Sequence, residues 1–378
     1  MKIIDFRILT TTDFILLGSL LFLFFIQVYF LLRYYLKLAL HKDKQPGDHS
    51  NPVTIILPVR NEESRIREMV AKFSDQEFEN YQLLVINEYS EDNTYEILNV
   101  LSETNPRLKV TSLSQETRFS EKQAINIGLK GASSPLIILL TATAGEISPK
   151  WLSGLNSLLG PETEAVIAYT NVERRKGFRN LICRIERFYQ FIISGSRTLA
   201  GKPFVFDENN ILFKKSLYFE TLGFRHKLNR NFANLELIFN ENFQKGTVKV
   251  STSQELAVRE HIEDDRGDHI KLLKKGVQIR QSLPLSKSLN LFTDDVTRLL
   301  LPVIMAVLMI LHPEYWITIL VPVFIYLILQ TIIVKMLINR LNERKILLPS
   351  LVYILIKPII NWWFFWSMYV IHRRSRWN

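Results

Sequence analysis

Long apolar runs lie at both ends of the chain, and a mainly polar region lies between them. The first run covers residues 14–32 and contains no charged side chain. A helix of about 19 apolar residues is long enough to cross the hydrocarbon layer of a bilayer. Because no small-residue cleavage site precedes Arg33, the pattern predicts an uncleaved membrane anchor over residues 1–45, not a signal peptide.

The C-terminal region, residues 296–378, contains three more apolar runs. They cover residues 299–311, 315–334 and 347–371. The second is predicted to span a membrane. The first, of about 13 residues, is typical of a re-entrant or buried helix unless it extends into the residues before it. The third is long enough to span, but Lys357 and Pro358 lie near its middle, so it either crosses the membrane or bends back at the proline.

Between these regions, residues 46–295 alternate two hydrophobic patterns. Short, nearly continuous apolar runs are typical of strands covered on both faces, and longer runs with apolar residues three or four apart are typical of helices. The predicted strands are 53–59, 81–86, 108–113 and 135–141, and the predicted helices between them are 64–73, 95–101 and 121–132. This alternation predicts an α/β domain with a mostly parallel sheet and right-handed crossovers.

Charge and composition place this domain beside a membrane. The chain of 378 residues has 47 basic and 37 acidic side chains, a formal net charge of +10, and much of the excess flanks the apolar runs. Basic flanks favour the cytoplasmic side of a membrane, so we expect an integral membrane protein with a cytoplasmic domain, at the inner membrane if the source is bacterial. Nucleic acid is not a predicted partner. The single cysteine, Cys183, excludes an internal disulfide and a cysteine-rich zinc site.

Ligands of parallel α/β sheets bind beyond the carboxyl ends of the strands. In this chain those ends are residues 58–62, 87–93 and 141–145. The third of these reads Thr-Ala-Thr-Ala-Gly, which offers little chemistry where a ligand is expected.

Four segments in order resemble membrane-bound family 2 glycosyltransferases of the processive and lipid-glycosylating kind. They are IILPVRNEE (55–63), LLVINEYSEDNT (83–94), EKQAINIGLKGA (121–132) and LLTATAGEISPKWL (139–152). The resemblance covers roughly residues 50–290 and implies a GT-A fold, a nucleotide-sugar donor, and a lipid or glycan acceptor. It also implies a donor site that includes Pro58, Arg60, Glu62, Asn87, Glu88 and Lys122.

The same resemblance implies an acceptor side that includes Asn210, Gln278 and Arg280. Such enzymes use an Asp-x-Asp motif to hold Mg²⁺ or Mn²⁺ on the leaving diphosphate. A further carboxylate acts as the general base on the acceptor hydroxyl, a role typically worth about 10²–10⁴-fold in rate.

The chain departs from the family at these chemical positions. The Asp-Asp of the nucleotide site is Asn87-Glu88, and the Asp-x-Asp motif aligns with Ala142, Thr143 and Ala144. The base aligns with Asn234, whose amide cannot take a proton. We therefore assign no cofactor, and Mg²⁺ or Mn²⁺ is implied only if the chain is active.

Two acidic residues lie near the vacated positions. If catalysis persists, Glu236 is the candidate displaced base and Glu146 the candidate metal ligand. A displacement of two residues in a helix turns a side chain by about 200°, which disfavours Glu236. The acidic run of residues 260–268 is predicted to be a solvent-facing loop.

Two functions compete on these grounds. In the first, the chain is a pseudoglycosyltransferase that scaffolds or regulates assembly of a cell-envelope glycan or a glycosylated lipid, with a catalytically intact glycosyltransferase as a possible partner. In the second, it is an active inverting glycosyltransferase that moves a sugar from a nucleotide-sugar donor to a lipid or glycan acceptor. Loss of both metal and base carboxylates favours the first.

Overall fold

The structure is a computed structural model of the chain and describes residues 10–43, 47, 50–116, 119–261 and 267–374. It divides into two compact units. One consists of residues 41–282, and the other joins residues 1–40 to residues 283–378. The domain boundaries predicted at residues 45 and 295 stay a prediction.

A seven-stranded sheet forms the centre of the first unit. Its strands are β1 Val53–Val59, β2 Tyr81–Asn87, β3 Leu108–Ser112, β4 Leu136–Leu139, β5 Ala165–Ile167, β7 Ile211–Lys214 and β8 Val248–Val250. Their order across the sheet is β3-β2-β1-β4-β7-β5-β8. The first four strands in that order are parallel, which confirms the predicted parallel sheet, while β7 runs antiparallel to both of its neighbours. A second sheet pairs β6 Thr170–Val172 with β9 Val258–Glu260.

Helices cover the faces of the large sheet. They are α3 Ile66–Ser74, α4 Thr94–Thr104, α5 Ser120–Gly131, α6 Trp151–Ser157, α7 Phe178–Leu199, α8 Ser216–Glu220, α9 Leu235–Asn242 and α10 Asp268–Ser282. The strands β1 and β2 are buried almost throughout because their apolar side chains lie under helices on both faces. Ile66, Met69, Val70 and Phe73 form the buried face of α3, as their helical spacing predicts.

Four long helices form the second unit. The N-terminal helix α1, Thr11–Phe30, continues through a π-helical segment, Leu31–Leu36, into α2, Lys37–Ala39; α11 covers Leu285–Leu311, α12 Trp316–Arg340 and α13 Leu347–Arg374. Among the residues that the structure describes, three helical segments have the length and composition to cross a membrane: Thr11–Ala39, Pro313–Arg340 and Leu347–Tyr369. The last of these is one continuous helix through Pro358.

The helix α11 is longer than the apolar run predicted at residues 299–311, and it packs antiparallel to α1. Contacts at both ends and in the middle set this pairing: Asp13 with His312 at 2.8 Å, Gln27 with Thr297 at 2.7 Å, and Tyr35 with Asp294 at 3.1 Å. Two charged side chains of α11, Asp294 and Arg298, are buried on this side and form an ion pair at 2.6 Å. The exposed side carries Leu285, Leu289 and Phe292 at helical spacing.

Candidate functional site

Three loops meet at one edge of the large sheet, because β1, β2 and β4 are parallel neighbours and their carboxyl ends point the same way. The loop after β1 is tied to the loop after β2. The backbone N–H of Asn61 donates to Ser90 Oγ at 3.0 Å, and the N–H of Glu91 donates to Asn61 Oδ1 at 2.9 Å. Asn61 has a positive φ of 54°, a conformation that asparagine tolerates better than most residues.

The residues predicted for the nucleotide lie at this edge. Asn87 is buried, with its Nδ2 donating to Ser112 Oγ at 2.9 Å and its Oδ1 accepting from the N–H of Ser90 at 3.2 Å. Glu88 is half-buried beside it. Burial raises the pKa of the Glu88 carboxyl to about 7, the nearby Glu121 adds to the rise, and Arg60 opposes it. A carboxyl group that changes charge near neutral pH is unusual and marks a candidate binding residue.

The other predicted donor residues are held differently. Pro58 lies within β1 opposite Ile86. The exposed Arg60 guanidinium donates to the Glu116 carboxylate at 2.6 Å. Glu62 accepts from the Arg65 guanidinium at 2.8 Å, so its carboxylate faces the start of α3.

The segment predicted as the vacated metal motif follows β4. Ala142 packs against the hydrophobic core, and Ala144 is buried and forms an antiparallel bridge with Glu260. The hydroxyl of Thr143 is hydrogen-bonded to that of Thr141 at 2.7 Å. Hard divalent cations need several oxygen ligands, and this segment supplies one side-chain hydroxyl that already has a partner. The residues at this position therefore do not fit the Mg²⁺ or Mn²⁺ that the resemblance implies.

A buried charge cluster lies beside this segment, and sequence reasoning missed it. The Arg187 guanidinium forms ion pairs with Asp207 and, at 3.1 Å, with Glu260. Asn209 Nδ2 donates to carboxylate oxygens of the same two acids at 3.1 Å each. Glu260 is 2% exposed and also accepts from Thr141 Oγ1 at 3.2 Å.

The predicted solvent-facing loop at residues 260–268 is therefore wrong at both of its ends, because Glu260 is buried and Asp268 begins the helix α10. Glu260 ends β9, where pairing with β6 buries it, whereas residues 262–266 lie outside the described residues. In the part of the chain that the structure describes, no group of three or more histidine, cysteine, aspartate or glutamate side chains is arranged to hold a metal ion.

The predicted base position is occupied by an amide that is hydrogen-bonded at both its oxygen and its nitrogen. Asn234 lies immediately before α9 and is 3% exposed. Its Oδ1 accepts from Lys122 Nζ at 3.2 Å, and its Nδ2 donates to Glu208 Oε1 at 3.0 Å. Lys122 also donates to the carbonyl oxygens of Arg230 and Ala233, at 2.9 and 2.8 Å. The structure thus brings together Lys122 and Asn234, which the sequence placed in separate sites.

Two buried glutamates around this amide have pKa values that are shifted in opposite directions. Burial raises the pKa of the Glu208 carboxyl well above its usual value, and the negative Glu236 adds to the rise. Burial also acts to raise the pKa of Glu236, but the Lys275 ammonium at 2.6 Å outweighs it and leaves that pKa below its usual value. Burial lowers the pKa of Lys122. The predicted fallback base, Glu236, is thus an ion-paired carboxylate whose Oε2 accepts from the backbone N–H of Asn234 at 2.9 Å.

The predicted acceptor-side residues do not form one cluster of contacts with the base position. Asn210 is fully buried with φ 58°, and its Nδ2 donates to the carbonyl oxygens of Tyr169 and Leu256. Its Oδ1 accepts from Trp151 Nε1 at 2.8 Å, so this side chain fastens β7 to neighbouring segments. Gln278 and Arg280 are partly exposed on α10, and the Arg280 guanidinium lies 5.9 Å from the ring centre of Phe206.

Comparison with known proteins finds a family model that matches part of the sheet domain. The family model "Glycosyl transferase family 2" matches residues 54–220. An uncharacterized glycosyltransferase of Bacillus subtilis, YkcC, is 31% identical over 121 residues, which are 29% of this chain and 37% of that protein. The poly-beta-1,6-N-acetyl-D-glucosamine synthase of Staphylococcus aureus is 27% identical over 194 residues, which are 50% of this chain and 46% of the synthase. The chain thus spans less than half the length of these curated relatives.

Among solved structures, the chain is similar to the mannosyltransferase PcManGT of Pyrobaculum calidifontis, whose structure contains GDP-Man and Mn²⁺. The TM-score is 0.53 and the identity 18%, with 86% of this chain and 99% of that chain covered. At this identity the likeness shows the fold alone, and it confirms the predicted GT-A fold.

Proposed function

We propose, from the match of residues 54–220 to the glycosyl transferase family 2 model, that the chain is a membrane-attached pseudoglycosyltransferase. In this proposal it binds a nucleotide or nucleotide-sugar at the edge of the large sheet without transferring the sugar. It acts as a scaffold or regulator in the synthesis of a cell-envelope glycan or glycosylated lipid, beside a catalytically intact glycosyltransferase. The similarity to a polysaccharide synthase supports this setting.

The observation that carries the proposal is the bonding of Asn234. An acceptor hydroxyl must lose its proton as it attacks the sugar, and a positioned carboxylate ordinarily takes that proton. The Asn234 amide has no basic lone pair for this role, and both of its ends are used by Lys122 and Glu208. Glu236 does not replace it, because its carboxylate is paired with Lys275 and is 0% exposed.

The metal-motif segment supports the same conclusion. A leaving diphosphate gathers negative charge as the bond to the sugar breaks, and stabilising that charge is usually a large part of catalysis. Ala142 and Ala144 contribute only methyl groups at this position. Two acids of the neighbouring charge cluster, Asp207 and Glu260, are neutralised in part by Arg187 instead.

Side chains that suit nucleotide binding, in contrast, are present at the edge of the large sheet. Asn87 and the partly exposed Glu88 lie where base and ribose would bind, and Arg60 lies close enough to Glu88 to affect its pKa. A cation at this edge suits a diphosphate. We place the domain in the cytoplasm, where nucleotide-sugars are made, in agreement with the basic residues that follow the first apolar run.

Thermal unfolding of the purified full chain in detergent tests this proposal. UDP, GDP and their sugars are added with and without Mn²⁺, and we expect a nucleotide-dependent rise in unfolding temperature that Mn²⁺ does not change. Glu88→Ala should remove the nucleotide effect. A triple variant, Ala142→Asp with Ala144→Asp and Asn234→Asp, serves as the matched gain-of-function control and should acquire a Mn²⁺-dependent rise. A Mn²⁺-dependent rise with the natural chain contradicts the proposal.

One observation favours the second candidate function, an active inverting glycosyltransferase. Glu208 is a buried carboxyl with a raised pKa, 3.0 Å from the amide at the base position. Such carboxyls are found at active sites as general acids or bases. If Glu208 serves as the base, Glu208→Gln abolishes sugar transfer or sugar-nucleotide hydrolysis while the chain stays folded. Under the non-catalytic proposal there is no turnover for this variant to abolish.

A further inference from the structure

Exposed apolar side chains surround a cavity of about 380 Å³ on the sheet domain. They belong to the segment that contains α8 and the residues after it. Phe219 is 42% exposed, Leu222 60% and Leu228 40%. Tyr218 and Phe224 form the buried apolar floor, with their rings in edge contact. Such a grouping on one side of a domain differs from singly scattered apolar residues and indicates a contact surface.

The backbone holds this segment in an unusual shape. Leu222 has φ 60° and Gly223 φ 54°, so two successive residues adopt the left-handed conformation. For leucine this conformation is strained, and strain of this kind is found mostly at functional positions. A side chain at position 223 would lie 2.5 Å from the Tyr218 ring, so only glycine fits there. The turn therefore presents Leu222 to the outside.

Basic residues flank the same surface. Residues 214–230 contain three lysines and two arginines against one glutamate, which is five minus one, or a net charge of +4. All three lysines, Lys214, Lys215 and Lys227, have partners within the protein. Arg225 and Lys130 of α5 are exposed, and both line the cavity.

We propose that this basic–apolar patch, Lys130, Phe219, Leu222, Arg225 and Leu228, docks on the surface of an anionic lipid bilayer. The apolar side chains enter the headgroup layer, and the two cations lie at the level of the lipid phosphates. The bilayer is the favoured occupant for two reasons. Its negative surface complements the patch, and the same chain contains candidate membrane spans.

One side chain connects the patch to the candidate site. Lys122 lines the same cavity, and its Nζ bonds to Asn234. A bilayer that covers the cavity is thus one side chain away from the predicted base position. The inference does not depend on whether the domain transfers sugar.

Fluorescence quenching in nanodiscs tests the proposal on the full chain. In a Cys183→Ala background, Leu228→Cys carries an environment-sensitive label, and Leu222→Cys provides a second labelled position in case one variant folds poorly. Val100→Cys, on α4 and 55% exposed, is the matched control. The nanodiscs contain lipids with quenchers on their acyl chains, in phosphatidylcholine alone or mixed with phosphatidylglycerol.

We expect quenching at positions 222 and 228 in the anionic discs, weaker quenching in the neutral discs, and none at position 100. Arg225→Gln and Lys130→Gln should each lower the ratio of docked to undocked protein about fivefold. Lys109→Gln, an exposed lysine on β3, should leave it unchanged. Absence of quenching at both patch positions overturns the proposal, as does equal quenching in neutral and anionic discs.

Discussion

Replacement of Lys275 by methionine tests the buried charge network that surrounds the predicted base position. The Lys275 ammonium lies 2.6 Å from Glu236 Oε1, and the Glu236 side chain is 0% exposed. Lys275→Met keeps most of the apolar stem but leaves the carboxylate without its counter-charge. Removal of one partner of a fully buried ion pair costs about 3–5 kcal/mol. Because the Lys275 side chain is 31% exposed, solvent already screens the pair, and we expect a loss of about 2–3 kcal/mol.

For a domain of this size, each kcal/mol shifts the unfolding temperature by about 2–4 °C, so Lys275→Met should lower it by about 4–12 °C at pH near 8. The effect depends on pH in a definite direction. In the natural chain the pKa of Glu236 is below its usual value. The stability that its charged form gives the folded chain is therefore fully present above the unfolded-state pKa, and it is lost as the pH falls through the folded-state pKa. In the variant, burial without a counter-charge raises that pKa, and protonation then relieves the cost.

The difference between the natural chain and Lys275→Met should therefore shrink as the pH is lowered from about 8 to about 5. Thermal unfolding in detergent at these pH values, followed by intrinsic fluorescence, measures it. Lys271→Met is the matched control, because Lys271 lies on the same helix, pairs with Asp268 and is 79% exposed. A shift for Lys275→Met no larger than that for Lys271→Met, or one that is the same at both pH values, refutes the reasoning.

Three further predictions concern other parts of the chain. If nucleotide binding needs the charged form of Glu88, affinity for UDP should rise about tenfold between about pH 6 and 8, and isothermal titration of Glu88→Gln should show no such rise. Gly223→Ala should lower the unfolding temperature more than Gly246→Ala, because both sites have positive φ but only the first places a new methyl group against an aromatic ring. Asp294→Ala leaves Arg298 buried without its carboxylate partner. When detergent extracts are heated, the variant should lose its monodisperse elution peak at a temperature several degrees lower than the natural chain does, and an unchanged elution profile would contradict this.

The sequence predicted the parallel half of the sheet well because local patterns determine it. The strands β1 and β2 are continuous runs of apolar, β-branched residues, and the helix α3 has a regular buried stripe. The antiparallel strand β7 and the small sheet of β6 and β9 were not predicted. These strands are three or four residues long, and distant pairings define them.

The candidate site was predictable only where a motif supplied the position. Asn234 and Lys122 were found in this way, but their contact joins residues 112 positions apart, which no pattern indicates. Glu208 and Glu260 were missed because their importance comes from burial. A weak signal existed for both: Glu208 lies two residues before the predicted acceptor-side residue Asn210, and Glu260 is the last of three residues with the alternation of a strand.

Sugar-nucleotide turnover by the purified full chain tests most directly whether the domain lacks catalysis. The chain, reconstituted in lipid with Mn²⁺, is incubated with labelled UDP- and GDP-sugars, and release of nucleoside diphosphate is followed over hours. We predict release no faster than in protein-free vesicles, for the natural chain and for Glu88→Ala alike. Release by the natural chain that EDTA stops and that Glu88→Ala or Glu208→Gln abolishes would contradict the account.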